Sequence, residues 1–187
     1  MTQIQPRIHP LESNHAGAAA EVLGAVRASL GRVPNIFATM AHSPAVLQGY
    51  LAFSGALGEG RLSAAVREQI ALTVAGENAC DYCASAHTAL ARGAGVSVEE
   101  AARNLRGEAS DARIAAILSF ARTVVRERGH VGAAELDTLR AAGVDEGELV
   151  EIIANIAANL FTNYFNHLAG TEIDFPAVST AGARRAA

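Results

Sequence analysis

SAAVREQIALTVAGENACDYCASAHTALARG, residues 63–93, carries both the fold class and the chemistry of this chain. Ser63 is a helix N-cap type, and Val66, Ile70 and Val74 follow at four-residue spacing, which predicts a helix from residue 64 onward. Gly76, Glu77 and Asn78 then lower helical propensity, so a break or kink is expected before Cys80. The helix resumes over 80–91 and stops at Gly93. Within it Cys80, Cys83 and His87 stand at i, i+3 and i+7, an arc of about 60° on one helix face.

Outward from this stretch the helical pattern continues. Residues 16–30 place Val22, Leu23, Val26 and Leu30 on one face, with Gly31 as the stop. Pro34 suits the first position of a short helix through Met40. Ser43 and Pro44 make an N-cap and N1 pair before 46–57, and Gly58 and Gly60 end that helix. Ser97 with Glu100 reads as a capping box for a short helix ending near Asn104. Ser110 precedes Ile114, Ile117, Leu118, Ala121, Val124 and Val125, the clearest amphipathic series in the chain. Residues 132–142 form a short helix stopped at Gly143, and Asp145 with Glu148 is a second capping box opening a long helix to about Leu168. From Gly170 the sequence looks irregular and partly disordered.

No period-two apolar pattern with hairpin turns occurs, so the fold class is all-α, a helical array. Composition agrees: half the residues are hydrophobic, Trp is absent and only five prolines interrupt 187 residues. That length fits one domain, 1–187, comprising an extension over 1–39, a core over about 40–130, helices over 131–169 and a tail over 170–187. A net charge of −4 provides no basic stripe for nucleic acid. Neither a signal-type apolar region at the N-terminus nor a membrane-spanning run of about 18 apolar residues is present, so a cytoplasmic protein without membrane contact is expected.

Two cysteines three residues apart close too small a loop to staple a fold, so reactivity explains them better than structure. Thiols one turn apart reach disulfide geometry, and a helix N-terminus favours thiolate. His87, one turn past Cys83, is a candidate base, and Glu68 on the preceding helix can orient it. Other readings of the same residues are buried cysteine fillers, a zinc site completed by Glu68, and a solvated Glu68 paired with Arg61 or Arg67. Haem attachment is excluded, because Ala84 and not His follows Cys83.

Glu68 followed by Cys80-Asp-Tyr-Cys83-Ala-Ser-Ala-His87 resembles the alkyl hydroperoxidase D branch of the carboxymuconolactone decarboxylase superfamily. Residues 30–44 (LGRVPNIFATMAHSP) and 163–176 (NYFNHLAGTEIDFP) resemble its longer, peroxidase-related members. The resemblance implies an all-helical homo-oligomer, a trimer or hexamer, and thiol-dependent reduction of a hydroperoxide with electrons from a thiol or dithiol reductant, often a protein. It implies no metal or organic cofactor. It assigns attack to Cys83, resolution to Cys80, and the proton relay to Glu68, Cys80 and His87. The dipole argument by itself favours Cys80 as the nucleophile. Tyr82 departs from the family pattern, which has a histidine between the thiols. Two further functions stay open: decarboxylation of a lactone, which needs no cysteine pair, and a non-enzymatic redox-sensing assembly module.

Two further features belong to the last long helix. Asn155, Asn159, Asn163 and His167 form a polar stripe, which means either hydrogen bonding between helices or subunits, or a wall of the dithiol site. A shift of 80 residues lays Glu68 on Glu148 and His87 on His167, a degenerate internal repeat in which the cysteines fall on Leu160 and Asn163.

Overall fold

The pattern of Val66, Ile70 and Val74 does form a helix, but one with almost no solvent face. The computed structural model describes residues 5–12 and 17–183. Residue 16, where the first helix was expected to start, the first four residues and the tail residues 184–187 lie outside this range. Among the described residues the chain is all helical, with no strand. In chain order the helices are α1 (Ala18–Leu30), α2 (Asn35–Met40), α3 (Pro44–Gly58), α4 (Ala64–Asn78), α5 (Asp81–Gly93), α6 (Val98–Asn104), α7 (Ala112–Arg126), α8 (Ala133–Ala141) and α9 (Glu146–Ala169).

α4 is the centre of the array because it contributes to two cores. Leu72 and Ala75 pack with Ile36, Met40, Leu47, Tyr82 and Ala84. Ile70 and Val74 pack with Ile117, Leu118, Leu139, Ile152 and Ile156. The first core draws on α1, α2, α3, α5 and α6, and the second on α7, α8 and α9. Gly76 is required by this packing. A Cβ there would stand 1.9 Å from the carbonyl oxygen of Leu105, so α6 crosses α4 closer than any side chain permits.

The helix ends follow the expected capping chemistry with local exceptions. Ser63 Oγ accepts from the Val66 N–H at 3.3 Å, and the Asp145–Glu148 box closes in both directions. The Ser97 box is half made: Ser97 accepts from the Glu100 N–H at 3.1 Å, but the Glu100 carboxylate accepts from the Ser110 N–H at 2.8 Å. That bond holds Ser110 outside α7, so the cap passes to Asp111, which accepts from the Ile114 N–H at 2.9 Å. Pro34 is likewise the N-cap of α2 and not its first residue.

The tail over 170–183 is irregular but not loose. The Val178 N–H donates to Ser85 Oγ at 2.9 Å, and the Thr180 N–H and hydroxyl both donate to Asp81 Oδ1, at 2.8 and 2.6 Å. These bonds lay the tail along α5 as a strap. The repeat relation finds no second site. α9 runs unbroken, Glu148 receives Arg113 at 2.7 Å, and His167 meets the Asn78 carbonyl at 2.9 Å.

Gly76→Ala should lower stability by about 2 kcal/mol, because overpacking against a backbone carbonyl outweighs the gain in helix propensity of about 1 kcal/mol. Gly24→Ala, with nothing within 4 Å of its new methyl group, should instead gain up to about 1 kcal/mol. Urea unfolding followed by circular dichroism measures both; a harmless Gly76→Ala contradicts the close crossing.

Candidate functional site

The break predicted after Gly76 is a joint of one residue. Ala79 adopts the left-handed conformation (φ 55°), unusual for a residue with a Cβ, and Cys80 then serves as the N-cap of α5. The joint is held from α9: Asn78 Nδ2 donates to Asn163 Oδ1 at 3.1 Å, and His167 Nε2 meets the Asn78 carbonyl at 2.9 Å. Two members of the polar stripe therefore fix the turn that positions the thiols. The other two, Asn155 and Asn159, bond to carbonyls of their own helix. The asparagines are buried, whereas His167 is exposed.

Because the joint folds α5 back along α4, Glu68 and His87 meet. His87 Nδ1 and Glu68 Oε2 are 2.7 Å apart, with the side chains 19% and 21% exposed. Burial alone would push the imidazole down, yet the charge of Glu68 and its hydrogen bond outweigh burial and hold His87 above its ordinary value. The bond to Nδ1 leaves Nε2 for chemistry, and His87 lines a cavity.

The thiols are 2% exposed and unlinked. Cys80 Sγ accepts the Cys83 N–H at 3.4 Å and the Cys83 thiol proton as well. The second of these bonds is the largest influence on either thiol. With the N–H and the nearby His87 it draws Cys80 below the usual thiol value in spite of burial. Cys83, whose proton is committed to Cys80, is raised well above that value, with burial acting in the same direction. Asn166 Nδ2, donating to Cys83 Sγ at 3.2 Å, and Thr162 oppose that rise. The two thiols are thus coupled, with Cys80 the more acidic and Cys83 the less.

Asn166 and Thr162 are the site residues that the sequence reading lacks. Both project from α9 at i and i+4 beside the stripe that was noticed, and Asn159, Thr162 and Asn166 at i, i+3 and i+7 were the available signal. Tyr82, in the place of the family's histidine, ties three segments together. Its hydroxyl accepts from the Ile36 N–H at 3.2 Å and donates to Asp174 Oδ1 at 2.9 Å, and its ring meets Phe175 edge-on at 5.9 Å. Asp174 in turn accepts from the Asn35 N–H at 3.0 Å and pairs with Arg32. Cys83, His87 and Glu68 line a cavity of about 560 Å³ whose walls are mainly apolar, including Val26, Ile36, Phe37, Leu51 and Phe175. Tyr50, also on its wall, is pushed up to about 12 by burial and stays protonated. Among the described residues no three His, Cys, Asp or Glu side chains converge as a metal site would require.

In an absorbance titration at 240 nm, one thiol should ionise below and the other above the ordinary thiol range, and Cys80→Ser should remove the low step while bringing Cys83 down. Two superposed ordinary steps would contradict the coupling. Glu68→Gln should lower the His87 pKa in a proton NMR titration. Because the folded value is raised, the pair stabilises fully below about pH 6.5 and loses its contribution as pH rises through the folded value, so the variant's loss of about 1 kcal/mol should be largest in mildly acidic solution.

Residues 44–127 match the family model described as the carboxymuconolactone decarboxylase family. No curated protein matches the chain. Among solved structures it is similar to an uncharacterized peroxidase-related protein from Ralstonia eutropha JMP134, described as an alkylhydroperoxidase AhpD core. Identity is 25%, coverage 91% of this chain and 94% of that one, and the TM-score 0.80. It is also similar to an uncharacterized peroxidase-related protein from Silicibacter sp. TM1040, at 25% identity, 92% and 94% coverage and a TM-score of 0.78. The debrominase Bmp8, solved as a cysteine-to-alanine variant with 2,3,4-tribromopyrrole, shares the fold at 20% identity, 92% and 94% coverage and a TM-score of 0.78. Residues 44–127, spanning α3 to α7, thus form a carboxymuconolactone decarboxylase-family region, and nearly the whole chain shares its fold with alkylhydroperoxidase D-like, peroxidase-related proteins.

Proposed function

We propose that this protein is a thiol-dependent hydroperoxide reductase in which Cys83 attacks, Cys80 resolves, and Glu68 and His87 manage the proton. The observation that carries the reading is two buried thiols one helical turn apart, with Cys83 lining an apolar cavity beside a carboxylate–imidazole pair. A lactone decarboxylase has no use for such a pair.

The steps follow from the positions of the groups. Cys83 passes its proton to the Cys80 thiolate and attacks the distal oxygen of the hydroperoxide, breaking the O–O bond and forming a sulfenic acid. Asn166 Nδ2 stabilises the negative sulfur at 3.2 Å. The departing alkoxide takes a proton from His87, which Glu68 keeps charged. Cys80 then displaces water from the sulfenic acid, and two electrons from an external thiol or dithiol reopen the disulfide. Tyr82, pinned to Asp174, holds the strap and takes no proton in this sequence.

The cavity is larger than hydrogen peroxide needs and its aromatic wall suits an organic substituent. In α3 only Leu47 is buried, while Val46 and Phe53 are each 44% exposed, an apolar face suited to the homo-oligomer that the family resemblance implies.

Steady-state reduction of cumene hydroperoxide with dithiothreitol tests the reading. Cys83→Ser should fall to the uncatalysed rate, Cys80→Ser should stop after one turnover with a dimedone-reactive Cys83, and His87→Ala should lose about a hundredfold. Full activity in Cys83→Ser would overturn it. Selective turnover of a carboxymuconolactone would replace it with the lyase reading, and selective turnover of 2,3,4-tribromopyrrole with a reductive dehalogenase.

A further inference from the structure

The two sulfurs open onto different cavities. Cys83 lines the apolar one together with His87 and Glu68. Cys80 lines a second, of about 910 Å³, between the first turn of α5 and the strap, with Ala79, Asp81, Thr171, Ala177 and Val178 around it. Two residues, Asn166 and Tyr82, line both and form the partition. Asn166 is 4% exposed; its Nδ2 is given to Cys83, while its Oδ1 has no partner in the protein.

We infer that the two substrates enter by separate cavities: the hydroperoxide reaches Cys83 from the apolar side, and a small thiol reductant attacks Cys80 from the strap side. The inference rests on the peroxidase reading of the site. Its chemistry balances. A reductant thiolate attacks Cys80 Sγ in the Cys80–Cys83 disulfide, the S–S bond breaks, and Cys83 leaves as the thiolate, facing the peroxide cavity with the Asn166 N–H against it. A second reductant thiolate attacks the reductant's sulfur in the mixed disulfide, releasing the oxidised reductant and the Cys80 thiolate. Access sets this direction, because Cys80 is the sulfur that lines the strap-side cavity. A small thiol fits better than a protein thiol, since Cys80 is 2% exposed and the strap over it is fastened at Ser85 and Asp81. The alcohol formed in the apolar cavity therefore need not leave before reductant enters the other.

Blocking each cavity from an exposed position separates the half-reactions. Ala177→Trp fills the strap side and Ala25→Trp the apolar side, with circular dichroism and melting confirming the fold of both. Quenched-flow alkylation with mass spectrometry then counts thiols during oxidation by cumene hydroperoxide and during reduction by dithiothreitol of protein oxidised with diamide. Ala177→Trp should slow reduction by about tenfold or more and leave oxidation within about twofold, with Ala25→Trp doing the reverse. Slowing of both half-reactions together by either variant, or reduction at the wild-type rate in Ala177→Trp, would overturn the separate cavities. Failure of the peroxidase reading looks different: the wild-type thiols would survive cumene hydroperoxide while diamide still oxidises them, and the inference would fall with it.

Discussion

The joint at Ala79 is the constraint on which the remainder of the structure depends. One left-handed residue turns the chain so sharply that α5 runs back along α4, bringing Glu68, eleven positions before the joint, against His87, eight after it. The same turn makes Cys80 an N-cap, where its sulfur receives a backbone N–H and the thiol of Cys83. A non-glycine residue in this conformation is disfavoured by about 1 kcal/mol or more. It persists because Asn163 and His167 clamp Asn78, and because Gly76 allows α6 to close over α4 just before the turn.

This geometry places the two thiols in different surroundings. The sulfur with the lowered pKa is Cys80, but the sulfur facing the apolar cavity is Cys83. In the proposed mechanism the attacking thiol and its proton acceptor are neighbours one helical turn apart. A thiol held in its protonated form also resists adventitious oxidation until a substrate displaces water from the cavity, because the thiolate is the reactive species.

Much of the fold was legible in the sequence because local rules govern it: four-residue apolar spacing, serine and aspartate caps, and glycine stops place eight of the helices closely, and the break before Cys80 was anticipated from Gly76 to Asn78. The reason for Gly76 was not, since it is a contact with Leu105 about thirty residues away. Long-range bonds account for the other differences. Ser110 lost the cap because Glu100 holds its N–H, and the tail became a strap because Asp81 and Ser85 receive Thr180 and Val178. Within the site, spacing alone collected Cys80, Cys83 and His87, and the family resemblance supplied Glu68. Asn166, Thr162 and Asp174 stayed invisible because their partners lie more than 75 residues away in sequence.

The central claim, that the Cys80–Cys83 pair carries the two electrons, is tested most directly by a single-turnover balance. Fully reduced protein is mixed with substoichiometric cumene hydroperoxide, and alcohol formed and protein mass are measured together. The account predicts one alcohol and one Cys80–Cys83 disulfide for each peroxide consumed, with no oxygen retained on the protein at completion. Peroxide that persists beside intact thiols, or that disappears without loss of either thiol, would contradict it.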